Sequence, residues 1–222
     1  MEAERAPPPR RKTVVIIDDH DIVRFGLETL VSACPQLRLA GSAEDVHGGL
    51  RLIEAQQPDL VISDMGTRDS RGLDTVRAVV AAQAPRSVLI VSTHDELLYG
   101  AQAIALGARG YVMKESAHAS VIAAALSILE GGTWVSPRLN AKLMGRLFNN
   151  GTRSPAPEND GLSLSAREFE VLELLKSGMS TKQIASTLHV SGRTVDIYRA
   201  SMKRKLGLRT GAELIAFASS RL

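Results

Sequence analysis

Through residues 13 to 129, short β-branched runs alternate with longer segments in which apolar residues recur at three- and four-residue spacings. Runs at 13–17, 37–40, 60–63, 88–91 and 110–113 predict five strands, and the segments 22–32, 46–56, 73–82, 96–105 and 117–129 predict helices between them. Strands apolar at nearly every position are buried on both faces, which requires a parallel sheet with helices on each side. The expectation is a doubly wound α/β domain over residues 12–133. The pattern then changes. From Gly131 to Gly161 the chain is polar and rich in glycine and proline, the composition of a linker, here 134–161, with an amphipathic piece at 138–148. Beyond it no strand pattern returns. Helices are expected at 166–177, 181–188, 192–206 and from about 210, the first two opened by the capping-box pairs Ser165 with Glu168 and Ser180 with Gln183, the third by Ser191. Residues 162–222 thus read as a smaller, all-α domain.

Charge sharpens this division. The whole chain carries a net +3, but residues 12–133 hold 10 Lys and Arg against 15 Asp and Glu, whereas 162–222 hold 10 against 5. A basic carboxy-terminal domain is the electrostatic footprint of a nucleic-acid partner. Aromatic residues make up only 4% of the sequence, which argues against stacking platforms and carbohydrate clefts. Cys34 is the single cysteine, so neither an intramolecular disulfide nor a cysteine zinc cage can form. The opening residues lack the apolar core of a signal peptide, and no long apolar run follows. A cytoplasmic protein with no membrane partner is expected.

In an open parallel sheet, chemistry collects at the carboxyl ends of the strands. The first predicted strand ends in Asp18-Asp19-His20, the third in Asp64, the fourth in Ser92-Thr93 and the fifth in Lys114. Crowded carboxylates repel one another unless a cation sits among them, and oxygen donors suit Mg²⁺. Asp19 and Asp64 are the expected direct ligands, with Asp18 acting through water.

The motifs IIDDH, PDLVISD, VLIVST and GARGYVMK, in this order and spacing, resemble the receiver domain of two-component response regulators, a flavodoxin-like fold. The resemblance implies that Asp64 accepts a phosphoryl group from a sensor histidine kinase. It further implies that Asp18 and Asp19 bind metal, that Gly66 offers a backbone carbonyl to it, and that Lys114 pairs with the phosphoryl group. Ser92 and Tyr111 fall on the switch hydroxyl and switch aromatic. One departure stands out: Arg68 occupies a place where the family usually has proline, so a fixed backbone torsion is lost and a cation gained.

In the last domain, Ile184, Ala185, Leu188, Val190, Val195 and Tyr198 have the spacing of two helices packed across a tight turn, a geometry also found in helical pairs that never meet DNA. The stretch LSAREFEVLELLKSGMSTKQIASTLHVSGRTVDIYRASMKRKLG is similar to the LuxR-type domain of the NarL/FixJ response regulators. By that resemblance 192–206 is the recognition helix. Thr181, Lys182, Ser191, Arg193 and Thr194 would serve DNA phosphates, and Asp196, Ile197, Arg199 and Ala200 would lie nearest the base edges. Lys203, Arg204 and Lys205 add positive charge. Promoter double-stranded DNA is the implied partner, and a homodimer formed on phosphorylation the implied switch.

Two other readings compete. An aspartate-nucleophile phosphohydrolase needs a second acid two residues after the nucleophile, where this chain has Gly66, so no enzyme is expected. A DNA-binding regulator whose receiver works without phosphorylation is the remaining alternative, motivated by Arg68.

Overall fold

The computed structural model describes residues 10–67, 69–70, 72–149 and 164–221, which form two compact units. The first contains five strands, β1 (Lys12–Ile17), β2 (Leu37–Ala43), β3 (Leu60–Ser63), β4 (Ser87–Ser92) and β5 (Gly110–Met113), paired in the order β2-β1-β3-β4-β5. All four pairings are parallel. Helices α1 (Asp21–Ala33), α2 (Val46–Gln56), α3 (Leu73–Gln83) and α4 (Ala101–Ala105) fill the crossovers and α5 (Ala117–Leu129) follows β5; α6 (Pro137–Asn149) comes next in the chain, mostly in the second unit. This is the doubly wound α/β architecture that the apolar runs predict.

Alternation along each strand sorts the core into two layers. Val14, Ile16, Leu60, Ile62, Leu89 and Val91 pack with Leu27 and Val31 of α1 and with Val121, Ala124 and Ile128 of α5. The opposite face meets α2 and α3, and Val15, Ile17, Val61, Val88 and Ile90 on it are equally buried. Gly49 sets how close α2 lies to the sheet, since a Cβ there would stand 2.3 Å from Ile17 Cδ1.

Two elements depart from the expected pattern. β2 continues three residues past the apolar run 37–40, because Gly41, Ser42 and Ala43 pair with Val15, Ile16 and Ile17 after a bulge at Ala40. Gly, Ser and Ala carry little strand propensity, so the ladder with β1 holds them there. The segment expected as one helix over 96–105 is a π-helical turn, Glu96–Gly100, leading into α4. Beyond α5, Trp134 bridges Gly110, with Tyr111 N donating to Trp134 O at 2.8 Å. The amphipathic piece at 138–148 lies within α6. The rest of the expected linker, from residue 150, lies outside the described residues.

The second unit has α7 (Ala166–Lys176), α8 (Thr181–Thr187), α9 (Gly192–Leu206) and α10 (Gly211–Arg221) around Leu172, Ile184, Val195, Met202, Leu214 and Ala218. Local side chains define its helix ends. Both capping boxes form, and Ser191 Oγ accepts from Thr194 N at 3.0 Å. Between α8 and α9, His189 takes a left-handed φ of 54° and Val190 N donates back to Ala185 O at 3.0 Å, closing the tight turn. Among the described residues no helix is long and apolar enough to cross a membrane.

Candidate functional site

The strand order reverses at β1, whose neighbours β2 and β3 leave a crevice at their carboxyl ends. Ile17 is in register with Ser63, so Asp18 and Asp64 leave the sheet side by side, and Asp64 N donates to Ile17 O at 2.8 Å. Lys114, one residue past β5, reaches back to both: its Nζ lies 2.7 Å from Asp64 Oδ2 and 2.8 Å from Asp18 Oδ2. Asp19 and His20 complete the group, with His20 Nδ1 2.8 Å from Asp19 Oδ1, 3.3 Å from Asp18 Oδ1 and 3.8 Å from Asp64 Oδ2.

Burial turns this cluster into an electrostatic conflict. The Asp18 side chain is wholly buried and that of Asp64 is 6% exposed, so their charges are largely stripped of water. Burial raises the Asp64 pKa, and the nearby Asp18 adds to it; Lys114 opposes both without overcoming them. For Lys114 burial acts to discharge the ammonium, but hydrogen bonds and attraction from Asp18 and Asp64 outweigh it and hold its pKa above the usual lysine value. Among the described residues, one ammonium faces three carboxylates. Asp19 Oδ1 is buried and accepts no hydrogen bond, and Asp18 Oδ2 has the Lys114 ion pair but no well-directed hydrogen bond. Ligand atoms of Asp18, Asp19, His20 and Asp64 all lie within 4.8 Å of one another, so the donor set fits a divalent cation.

Ser92 closes β4 with its side chain fully buried, and its Oγ accepts from His94 N at 3.2 Å. Tyr111 is buried in β5, its hydroxyl donating to His94 O at 2.8 Å. Burial drives the phenol pKa far above its usual value, so it remains a donor. The structure thus joins the two switch candidates through the backbone of one residue. A Gly66 backbone hydrogen bond to Asp64 works to lower that carboxyl's pKa; it is the amide, not the carbonyl, that meets the acid here.

The sequence reading names His20 at the end of the first strand but gives it no role, and the fold turns its ring toward Asp64. It misses Asp69 altogether. Asp69 accepts from Val46 N at 2.9 Å, His47 N at 3.1 Å, His47 Nδ1 at 2.5 Å and Thr67 Oγ1 at 3.0 Å. Burial acts against its charge as the largest single influence, but these bonds together outweigh it and hold the carboxyl well below the usual range. Asp69 therefore ties the loop after β3 to the amino terminus of α2, 23 residues away. No local signal marks such a partner. Arg68, in the same loop, lies outside the described residues.

In the second unit, Arg193, Asp196, Ile197 and Ala200 occupy one exposed face of α9, and the Ile197 side chain is open enough to leave that residue 59% exposed. Lys182 and Ser191 are also exposed, and Thr181, Thr194 and Lys203 are half-buried. Arg199, expected near the base edges, is half-buried, and its Nη1 donates to Thr181 Oγ1 at 2.9 Å, linking α9 to α8. Lys205 is similarly occupied, pairing with the capping-box acid Glu168 at 2.7 Å.

Comparison with known proteins matches this geometry. The family described as response regulator receiver domain matches residues 14–126, and the family described as bacterial regulatory proteins, luxR family, matches 162–218. The chain belongs to the response regulators with a LuxR-type DNA-binding domain. The probable transcriptional regulatory protein NarL of Mycobacterium tuberculosis is 32% identical over 212 residues, 96% of this chain and 95% of that one. The oxygen regulatory protein NreC of Staphylococcus carnosus is 28% identical over 207 residues, 92% of this chain and 95% of its own. RcsB from Salmonella enterica serovar Typhimurium, solved on the rprA promoter with the phosphomimetic BeF₃⁻, has the same fold with a TM-score of 0.69 at 21% identity, over 95% of this chain and 100% of that one. This response regulator is accordingly a DNA-binding transcriptional regulator of a two-component system.

Proposed function

We propose that this regulator is switched by phosphorylation of Asp64 by a sensor histidine kinase, and that the phosphorylated form binds promoter double-stranded DNA as a homodimer. The observation that carries the reading is the convergence of Asp18, Asp19, Asp64 and Lys114 at the sheet's crevice. A carboxylate oxygen of Asp64 attacks phosphorus while the bond from phosphorus to the kinase breaks, leaving an aspartyl phosphate. Lys114, already 2.7 Å from Asp64, neutralises charge that builds on the phosphoryl oxygens. Asp18, Asp19, Asp64 and the carbonyl of Gly66 would hold Mg²⁺, which supplies further charge neutralisation when bound. Ser92, buried at the end of β4, donates its hydroxyl to the new phosphoryl group. His94 thereby loses its Ser92 partner, and Tyr111, bonded to the His94 carbonyl, repacks with it.

The receiver spans 12–133 and the LuxR-type domain 162–222. In the latter, Lys182, Ser191, Arg193 and Thr194 contact phosphates with Thr181 and Lys203 beside them, and Asp196, Ile197 and Ala200 face the bases. Arg199 holds the two helices in register through Thr181. A single such domain makes a small interface, which favours paired sites and a dimer.

The test is fluorescence anisotropy on promoter fragments with wild-type and Asp64→Asn protein, each with and without beryllofluoride and Mg²⁺, together with light scattering for mass. Wild type alone should gain DNA affinity and double its mass. Equal binding by both proteins under all conditions overturns the phosphorylation switch.

A further inference from the structure

The acidic pocket contains one donor of different chemistry. His20 follows the two β1-end acids, and its own backbone N donates to Asp18 Oδ1 at 2.9 Å, which fixes the residue at the rim. Its ring is 63% exposed, yet Nδ1 points inward: Asp19 Oδ1, Asp18 Oδ1 and Asp64 Oδ2 lie 2.8, 3.3 and 3.8 Å away, and Lys114 Nζ 3.4 Å. With the proton on Nε2, Nδ1 offers a lone pair to this space.

These separations are those of ligands around one ion. Metal–donor bonds of about 2.1 Å in an octahedron set neighbouring donors about 3 Å apart and opposite donors about 4.2 Å apart. The three His20-to-carboxylate distances fall within or close to that span. An all-oxygen set suits Mg²⁺, whereas an imidazole nitrogen favours first-row transition ions, whose affinity for nitrogen donors rises from Mn²⁺ onward.

We propose that His20 is a nitrogen ligand in the phosphoacceptor pocket, so that this receiver selects Mn²⁺ and later divalent transition ions over Mg²⁺. The inference rests on the reading of the pocket as a divalent-cation site and names the residue that sets which cation it takes. His20 lies at the open rim, where its imidazole would take the place of a water as a donor to a bound ion.

The test uses tag-free, full-length protein loaded with Mn²⁺ and read by pulsed electron paramagnetic resonance, beside titrations with Mn²⁺ and Mg²⁺. Wild type should give an imidazole-nitrogen coupling that disappears in His20→Ala and His20→Asn. Both variants should lose Mn²⁺ affinity by on the order of tenfold, the scale on which a residue supporting a metal site acts, while Mg²⁺ affinity changes far less. If both ions bind wild type without a nitrogen coupling, or the coupling survives in the variants, the role of His20 falls and the cation site stands. If neither ion binds wild type, the cation site itself falls and this inference with it.

Discussion

The acidic pocket and the exposed face of α9 both carry charge, but they hold it in opposite ways. Asp18, Asp64 and Lys114 are withdrawn from water and, among the described residues, crowd three carboxylates around one ammonium, counting Asp19. Arg193, Asp196, Ile197 and Ala200 stand in solvent on a helix held by Ser191 at one end and the left-handed Gly207 at the other. A buried conflict responds strongly to one added cation or phosphoryl group, because little solvent screens the change. An exposed face stores no such conflict, and its residues act nearly independently. The proposed switch draws on the first arrangement and the proposed DNA contacts on the second.

The sharpest break in this contrast comes from Lys114→Met. Removing the Lys114 ammonium takes away the ion-pair partner of buried Asp18 and Asp64, and unfolding stability in divalent-free buffer should fall by about 3 kcal/mol, with part recovered on adding Mg²⁺. Urea denaturation measures it; a loss no larger than that of an exposed α9 substitution removes the idea of a charge-strained pocket.

Asp69→Ala and Ser180→Ala come next, each costing about 1 kcal/mol: Asp69 as a tertiary cap on the first-turn amides of α2, beside its N-cap Asp45, and Ser180 as the N-cap of α8. Only Asp69→Ala should also slow phosphorylation by a small-molecule phosphodonor, since Asp69 ties down the loop that carries Gly66. Equal phosphorylation rates for the two variants would leave Asp69 a cap and nothing more.

The pH dependence is smaller and separates the two loop carboxylates by sign. The Asp64 pKa is raised, so its contribution to stability is fully present below the ordinary value of 3.8 and is lost as pH rises through its folded value. The Asp69 pKa is lowered, so its contribution is present above 3.8 and is lost as pH falls through its folded value. Divalent-free thermal unfolding should therefore show Asp64→Asn flattening the loss toward neutral pH and Asp69→Asn flattening the loss toward acid. The same direction of change in both variants contradicts the assignment.

The smallest effect on folding belongs to Arg193→Ala. Stability should stay within about 0.5 kcal/mol, as for an exposed position. DNA affinity should fall for all sequences alike, with the salt slope reduced by about 1. A sequence-dependent loss would move Arg193 from phosphate contact to base reading.

Much of this was legible along the chain, for reasons that differ between the units. The β1, β3 and β5 runs are short, apolar and bounded by polar strand ends, so both their burial and the place of Asp18, Asp64 and Lys114 followed from position. The capping boxes at Ser165 and Ser180 are readable because each partner lies three residues away. β2 was cut short at Ala40 because residues 41–43 are strand only through pairing with β1. The bond from Arg199 to the Thr181 hydroxyl across the turn has no signal in the sequence, because the two residues lie 18 apart.

Periodicity, caps and the order of polar residues at strand ends are local, and they alone determined the α/β and all-α division, the acidic strand ends and the helix over 192–206. The contact of His20 with Asp64, the bond from Asp69 to α2 and the imbalance of three carboxylates over one ammonium were decided only by tertiary structure. Each depends on distance and dielectric between residues far apart in the chain, which the β1–β3 crevice brings together and withdraws from water.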